Sequence, residues 1–308
     1  MHSEHGWGDL VELRHLRYFL AVAREGNVTR AAASLHVTQP TLSRQLADLE
    51  QELGRELLVR ESRGVALTDD GMLLRKRAEE IVALADRTER EMMADDSQIE
   101  GDVWVGGGET RTMRLVAQAM QSIAQSHPGI RLRLHSGNAD DVIERVDKGL
   151  LDFGVIISRT PETRFESIEL PAYERWGVLV RNDDPLAGRE IVSLDDLSGR
   201  RLIVSNQPSD AHQPMSEVEQ MLGALSSNVV ATYTLLYNAS LLVEQGFGIA
   251  LCLDGIIATG PGTPFAFVPT ELQPAVRTHL IWKRFQPQSR AAAQFLREVS
   301  KVCAEQEA

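Results

Sequence analysis

The sequence predicts two architectures in one chain: an all-α head with a short hairpin and a long linking helix, followed by an α/β body of two lobes. Three observations predict it. Apolar residues recur at helical spacing up to Leu53, a heptad seam begins at Leu74, and from Gly101 onward short apolar runs alternate with helical segments. At 308 residues the chain exceeds one compact core and suits two or three domains. No apolar run reaches the roughly 18 residues of a membrane span, so no membrane partner is expected. Met1 to Asp9 carries His2, Glu4, His5 and Asp9 and no apolar stretch, unlike a secretory signal. Cys252 and Cys303 cannot build a disulfide framework, so a reducing cytoplasm is the expected compartment.

In the head, Leu16, Phe19, Leu20 and Ala23 lie on one helical face, and Gly26 ends that helix. Thr29 is the expected cap of a short second helix running to Leu35. After His36 and Val37, Thr38 caps a third helix, with Pro40 in its first turn, where a missing N–H costs nothing. Leu42, Leu46, Leu49 and Leu53 face inward. Gln39, Thr41, Ser43, Arg44, Gln45 and Asp48 are left on or near the outer surface. Leu57–Val59 and Val65–Leu67 read as a hairpin whose tip carries Arg60 and Arg63. Thr68 then caps a long helix with Asp69 and Asp70 in its first turn. Its seam, Leu74, Ala78, Ile81, Ala85, Thr88 and Met92, packs either on its own domain or on the same helix of a second chain; the second reading leads, because little local sequence remains to cover it.

The body reads as strand Val103–Gly106, helix Arg111–Gln125, strand Ile130–His135, helix Asp140–Lys148 and strand Leu151–Ile157. Buried strands alternating with helices argue for a parallel sheet covered on both faces. Strands near Trp176–Val180 and Leu202–Ser205, a helix near Met215–Leu222, and strands near Val229–Thr234, Ile249–Leu253 and Phe265–Val268 make a second α/β stretch. A strand Arg277–Trp282 and a helix Ser289–Cys303 close the chain. The expected domains are an extension 1–12, a head 13–68, a linking helix 69–96 and a body 97–308. The body splits into lobe I (about 97–173 and 274–308) and lobe II (about 174–273).

The net charge of −12 is unevenly spread. Leu13 to Thr68 holds 8 arginines, no lysine and 6 acidic residues, a balance of +2, whereas Ser97 to Ala308 holds 19 bases and 26 acids, a balance of −7. The head is the one basic region, which permits phosphate binding without establishing it.

Several strings resemble the LysR family of bacterial transcriptional regulators. They are Leu13-Arg14-His15-Leu16-Arg17-Tyr18-Phe19, Thr29-Arg30-Ala31-Ala32, Thr38-Gln39-Pro40-Thr41-Leu42-Ser43, Leu49-Glu50, Leu53-Gly54, and Leu67-Thr68 with Gly71. Gly149-Leu150-Leu151-Asp152-Phe153-Gly154 is similar to that family's effector-domain signature, and the resemblance runs from about Leu13 to Lys301. It implies a winged helix-turn-helix, lobes like those of type-2 periplasmic binding proteins, and dimers that join into tetramers. Leu58 stands where the family has phenylalanine and Val28 where an aromatic is common. Residues before Leu13 have no counterpart, which leaves open an extension or a start of translation near Val11.

In the third helix, Arg44 presents a planar donor fork that matches guanine O6 and N7 in the major groove. Gln39 and Gln45 suit base edges or phosphates, Thr38, Thr41 and Ser43 suit phosphate oxygens, and Pro40 and Thr41 offer apolar contact to thymine methyls. Arg60 and Arg63 are placed as a wing for the adjacent minor groove. A dimer would present two such helices to double-stranded DNA, so an interrupted palindrome is expected.

A ligand site is expected between the lobes, where strands end and helices begin. Candidates are Glu109, Thr110 and Arg111 after the glycines 106–108; Ser136, Gly137 and Asn138; Ser205 and Asn206; Tyr237, Asn238 and Ala239 at an expected helix start; and Asp254. Each is equally consistent with turn chemistry alone. Neutral polar groups and free helix N–H groups suit a small polar metabolite such as a carboxylate, with Arg111 as its counter-charge. Glu109 and Asp254 oppose a strongly anionic one, so an amino-acid-like or hydroxylated molecule would use both signs; Glu109 and Arg111 pairing with each other is the alternative. No Gly-x-Ser-x-Gly, His-Glu-x-x-His, Cys-x-x-Cys or dinucleotide fingerprint is present, so no enzyme, metal or cofactor is expected. The remaining alternatives are a cytoplasmic solute-binding protein and an enzyme with an appended DNA-binding domain.

Overall fold

The structure, a computed structural model, describes residues 12–61, 64–93, 99–157, 163–206, 223, 225–271 and 276–307. The chain divides after Met93 into two compact units.

In the first unit, α1 (Leu13–Glu25) buries Leu16, Phe19 and Val22 and stops at Gly26, whose φ of 59° is the left-handed value that a helix C-cap needs. The helix α2 (Val28–Ser34) is capped by Asn27, whose side chain accepts from the Arg30 N–H. This corrects the expectation of Thr29, which lies inside the first turn. α3 (Gln39–Leu53) is capped by Thr38 as expected, with Leu42, Leu46 and Leu49 buried. The strands β1 (Leu58–Glu61) and β2 (Gly64–Leu67) form the hairpin, and Arg63 at its tip lies outside the described residues. Gly64 sits against the end of α1: a Cβ there would meet the Gly26 carbonyl oxygen at 2.2 Å, and the Val65 N–H donates to that same oxygen at 2.9 Å.

The long helix α4 (Asp69–Met93) begins with Thr68 Oγ1 accepting from the Gly71 N–H at 2.9 Å. Its seam divides between two faces. Ala78 is fully buried, and Leu74 and Val82 pack on the unit's own core beside α1. Leu73, Ile81, Leu84 and Met92 stay exposed. The seam expected from Leu74 to Met92 therefore meets the unit's own core only at Leu74 and Ala78; Val82, one further step of four, continues that contact, while Ile81 and Met92 are exposed.

Among the described residues the second unit holds two five-stranded sheets. β3 (Gly101–Gly107), β4 (Ile130–Ser136) and β5 (Phe153–Ile157) are parallel. They are joined by β12 (Val276–Lys283) and β6 (Phe165–Glu174), in the order β4-β3-β5-β12-β6, with β12 antiparallel to both its neighbours. The sheet is thus mixed, which corrects the purely parallel expectation: the chain returns through β12 without a crossover helix. α5 (Met113–Ser126) and the terminal helix α9 (Arg290–Glu307) pack on one face through Leu115, Ala119, Ile123, Phe295 and Val299. α6 (Ala139–Asp147) covers the other through Val142 and Val146.

The chain crosses at Arg175 into β7 (Trp176–Arg181), then runs through a short α7 (Leu194–Leu197), β8 (Leu202–Ser205), β9 (Val229–Tyr233), α8 (Leu236–Glu244), β10 (Ile249–Leu253) and β11 (Phe265–Pro269). Their sheet order is β11-β7-β10-β8-β9. α8 buries Leu236, Ala239 and Val243 against Leu179, Ile203 and Ala250. The expected helix near Met215–Leu222 lies outside the described residues.

Candidate functional site

The first unit presents one polar surface along α3. The Thr38 and Thr41 hydroxyls lie 2.8 Å apart, and Gln39 Nε2 donates to Ser43 Oγ at 3.0 Å, so these groups brace one another on the exposed first turn beside Pro40. Arg44 is exposed and has no protein partner among the described residues. Arg60 is likewise exposed on β1. Gln45 departs from expectation: its Oε1 lies 3.0 Å from Nε2 of the buried His15, and it is half-buried. One residue before the inward Leu46, it satisfies a buried ring donor on α1. His15 was not singled out in the sequence, where a lone histidine on an apolar face carries no signal.

In the second unit a cavity of ≈ 70 Å³ lies between the two sheets' lobes. Of the expected residues it is lined by Glu109, Thr110, Gly137, Asn138 and Ser205. Loop ends from both lobes meet here because β3, β4 and β8 are parallel strands whose carboxyl ends point the same way within each sheet. Asn138 also caps α6, its side chain accepting from the Asp141 N–H at 2.9 Å. Burial alone would raise the Asp141 pKa, but donors from His135 and Arg145 hold its carboxyl below the usual range. Gly106 serves packing: a Cβ there would meet Leu151 at 2.5 Å and Val142 at 3.2 Å. Gly108 alone of the three glycines borders the cavity.

The other expected residues fall outside the lining. Ser136 and Asn206 are exposed at strand ends. α8 starts one residue earlier than expected, which turns Tyr237 outward (63% exposed) with Asn238 and buries Ala239 in the lobe II core. Arg111 Nη1 lies 3.5 Å from Asp254 Oδ2, which also accepts from Arg175 Nη2 at 2.8 Å. Glu109 accepts instead from the Leu236 N–H, the first of α8. The expected alternative, a Glu109–Arg111 pair, is therefore replaced by two separate tethers from one loop of lobe I to lobe II.

That loop is anchored below by Glu174, the last residue of β6. Its Oε1 accepts from Thr110 Oγ1, from the Thr112 N–H at 3.1 Å and from Thr112 Oγ1 at 2.8 Å, while its buried Oε2 has no partner among the described residues. Sequence reasoning missed Glu174 and the apolar wall formed by Ile156, Trp176, Tyr233, Leu253 and Ile256. Burial pushes the Tyr233 phenol's pKa up, so it stays a neutral donor, here to the Leu251 carbonyl at 2.8 Å.

Residues 13–72 match the model of the bacterial regulatory helix-turn-helix protein, lysR family, and residues 96–304 match that of the LysR substrate binding domain. The chain belongs to the LysR family. It is a DNA-binding transcriptional regulator with an effector-binding domain, and relatives of this family are regulators rather than enzymes. Among LysR-type relatives, the HTH-type regulator YybE of Bacillus subtilis is 30% identical over 244 residues, 79% of this chain and 83% of that protein. The regulator OxyR of Escherichia coli is 33% identical over 196 residues, 63% of each. The LysR-family regulator CbnR superposes with a TM-score of 0.71 at 22% identity, covering 95% of this chain and 99% of that one. CbnR complexed with its target DNA gives 0.69 with 95% and 100% covered. Among the described residues no helix is long and apolar enough to cross a membrane.

Proposed function

We propose that residues 13–68 read DNA, that residues 69–96 join two chains, and that the lobes of 97–308 close on a small metabolite whose binding changes the regulator's hold on its operator. The ligand reading is carried by one observation: the cavity takes Thr110 and Asn138 from one lobe and Ser205 and Tyr233 from the other. A molecule there touches both lobes, and a ligand shifts an equilibrium only when it binds the two states differently.

On the DNA side Arg44 is the base reader, since its fork is exposed and has no partner among the described residues, with Gln39, Pro40, Thr41 and Ser43 on backbone and methyl groups. Gln45 is reassigned from base reading to holding His15. Arg60 and Arg63 contribute phosphate affinity. The exposed stripe of α4 forms the dimer contact, and two dimers forming a tetramer is part of the same reading. Arg44→Ala should cost about 1–3 kcal/mol at the operator and relax base preference, whereas Arg60→Ala should weaken operator and random DNA alike. Gel shifts in which Arg44→Ala leaves affinity and preference intact would refute the assignment. For the cleft, metabolites that stabilise the full chain thermally should lose their effect in the cavity-filling Ala139→Trp variant; ligands that keep it bind elsewhere.

A further inference from the structure

The cavity's charge points to a ligand class opposite to the one expected from its helix starts. Among the described residues that line it, Glu109 is the only charged one; the rest are apolar or neutral polar. The N–H that opens α8, which would hold a ligand carboxylate, already donates to Glu109 Oε2. Arg111, the expected counter-charge, is drawn to Asp254 at the rim and is not part of the lining. Glu109 Oε1 has no partner among the described residues. The wall beside it carries the aromatic rings of Trp176 and Tyr233.

We infer that the cleft takes a small molecule with an apolar body and an ammonium head, the head pairing with Glu109, and that it excludes carboxylates. The inference rests on the cleft being the effector site. An ammonium supplies three donors to an under-used carboxylate and is attracted to the faces of neighbouring aromatic rings. A carboxylate would meet a like charge in a partly enclosed, largely apolar space with no facing cation among the described residues. The volume limits the body as well. At roughly 10–15 Å³ for each water-sized probe, ≈ 70 Å³ holds about five non-hydrogen groups.

The test uses three probes on one branched four-carbon skeleton, isobutylammonium, isobutanol and isobutyrate, titrated into the full-length protein by ligand-observed NMR. Isobutylammonium should bind tightest and isobutyrate not at all. Glu109→Gln keeps an amide oxygen for the Leu236 N–H, so the loop stays in place while the charge is lost. This variant should weaken isobutylammonium about tenfold and leave isobutanol within about twofold. Isobutyrate binding as tightly as the amine, Glu109→Gln leaving the preference unchanged, or no amine binding at all would each overturn the inference. Ala139→Trp separates the two levels. Carboxylate binding abolished by Ala139→Trp would keep the cleft and overturn the amine. Amine binding unaffected by Ala139→Trp would overturn the cleft, and the inference with it.

Discussion

Truncating Glu174 to alanine isolates the anchor beneath the ligand loop. Its Oε1 gathers three donors, two of them from Thr112, which is 1% exposed. Hydrogen bonds to a charged acceptor contribute about 1.5–3 kcal/mol each, and without Glu174 the Thr112 N–H keeps Thr110 Oγ1 at 3.1 Å and the Thr112 hydroxyl keeps Thr278 Oγ1 at 3.4 Å. The three bonds share one atom and do not add, and water can enter the space left by the carboxylate. A net loss of about 3 kcal/mol is therefore expected for Glu174→Ala, or roughly 6–12 °C in the melting of a unit of this size. Glu174→Gln keeps the accepting oxygen but brings an amide NH2 to a buried position with no acceptor among the described residues, so it should lose about 1–2 kcal/mol, less than alanine. Differential scanning calorimetry of the full chain reads both in the transition of the second unit. A loss below about 1 kcal/mol for alanine, or equal losses for alanine and glutamine, would show that these bonds do not hold the loop.

Four further outcomes concern individual side chains or pairs of them. Burial lowers the His279 pKa below 6.5 despite the nearby Glu169, so the unfolded chain takes up that proton first. Stability of the second unit should then fall as pH drops below 6.5, and His279→Leu should flatten that slope in urea melts at pH 5 and 8, an unchanged slope counting against it. Gly71→Ala should destabilise the first unit by about 1–3 kcal/mol although alanine is the better helix former, because a Cβ there meets the Leu57 carbonyl oxygen at 2.1 Å; a more stable variant in chemical denaturation refutes the clash. Ile81→Glu with Leu84→Glu should separate dimers in light scattering, since an unpaired carboxylate in an apolar seam costs several kcal/mol, and persistent dimers would place the contact elsewhere. Cys252 and Cys303 are buried, and burial, with Asp254 nearby, pushes the Cys252 thiol's pKa up, so neither should react with a thiol reagent until the protein unfolds; rapid native labelling would contradict that.

The parts of the fold legible in the sequence are those whose cause is local. Ile249–Leu253 and Leu202–Ser205 are continuous apolar runs because both faces of a central strand are covered, and the structure starts and ends them at those residues. β6 was not legible. It is an edge strand, its outward Glu166 and Glu169 break the apolar run, and Pro171 reads as a breaker, so only pairing with β12 makes it a strand. At the cleft, the Gly106–Arg111 loop and Asn138 were legible from turn chemistry. Their partners were not, because Leu236 and Asp254 lie more than a hundred residues away along the chain. Trp176 and Tyr233 escaped for another reason. An aromatic lining a cavity and one filling a core look alike until the backbone is folded.

The divided face of α4 works as a phase reference. Leu74, Ala78 and Val82 fix the helix's rotation about its own axis relative to α1, while Leu73, Ile81 and Leu84 stay exposed on the other stripe. Each residue of an α-helix turns the next by about 100°. A single residue inserted after Val82 would therefore swing the downstream stripe a quarter-turn or more without touching any residue that meets DNA. Two reading heads joined through such a helix, as proposed above, would lose register on their two half-sites while each kept its own affinity, so the spacing of a palindromic operator would then be set by the angular position of three apolar side chains.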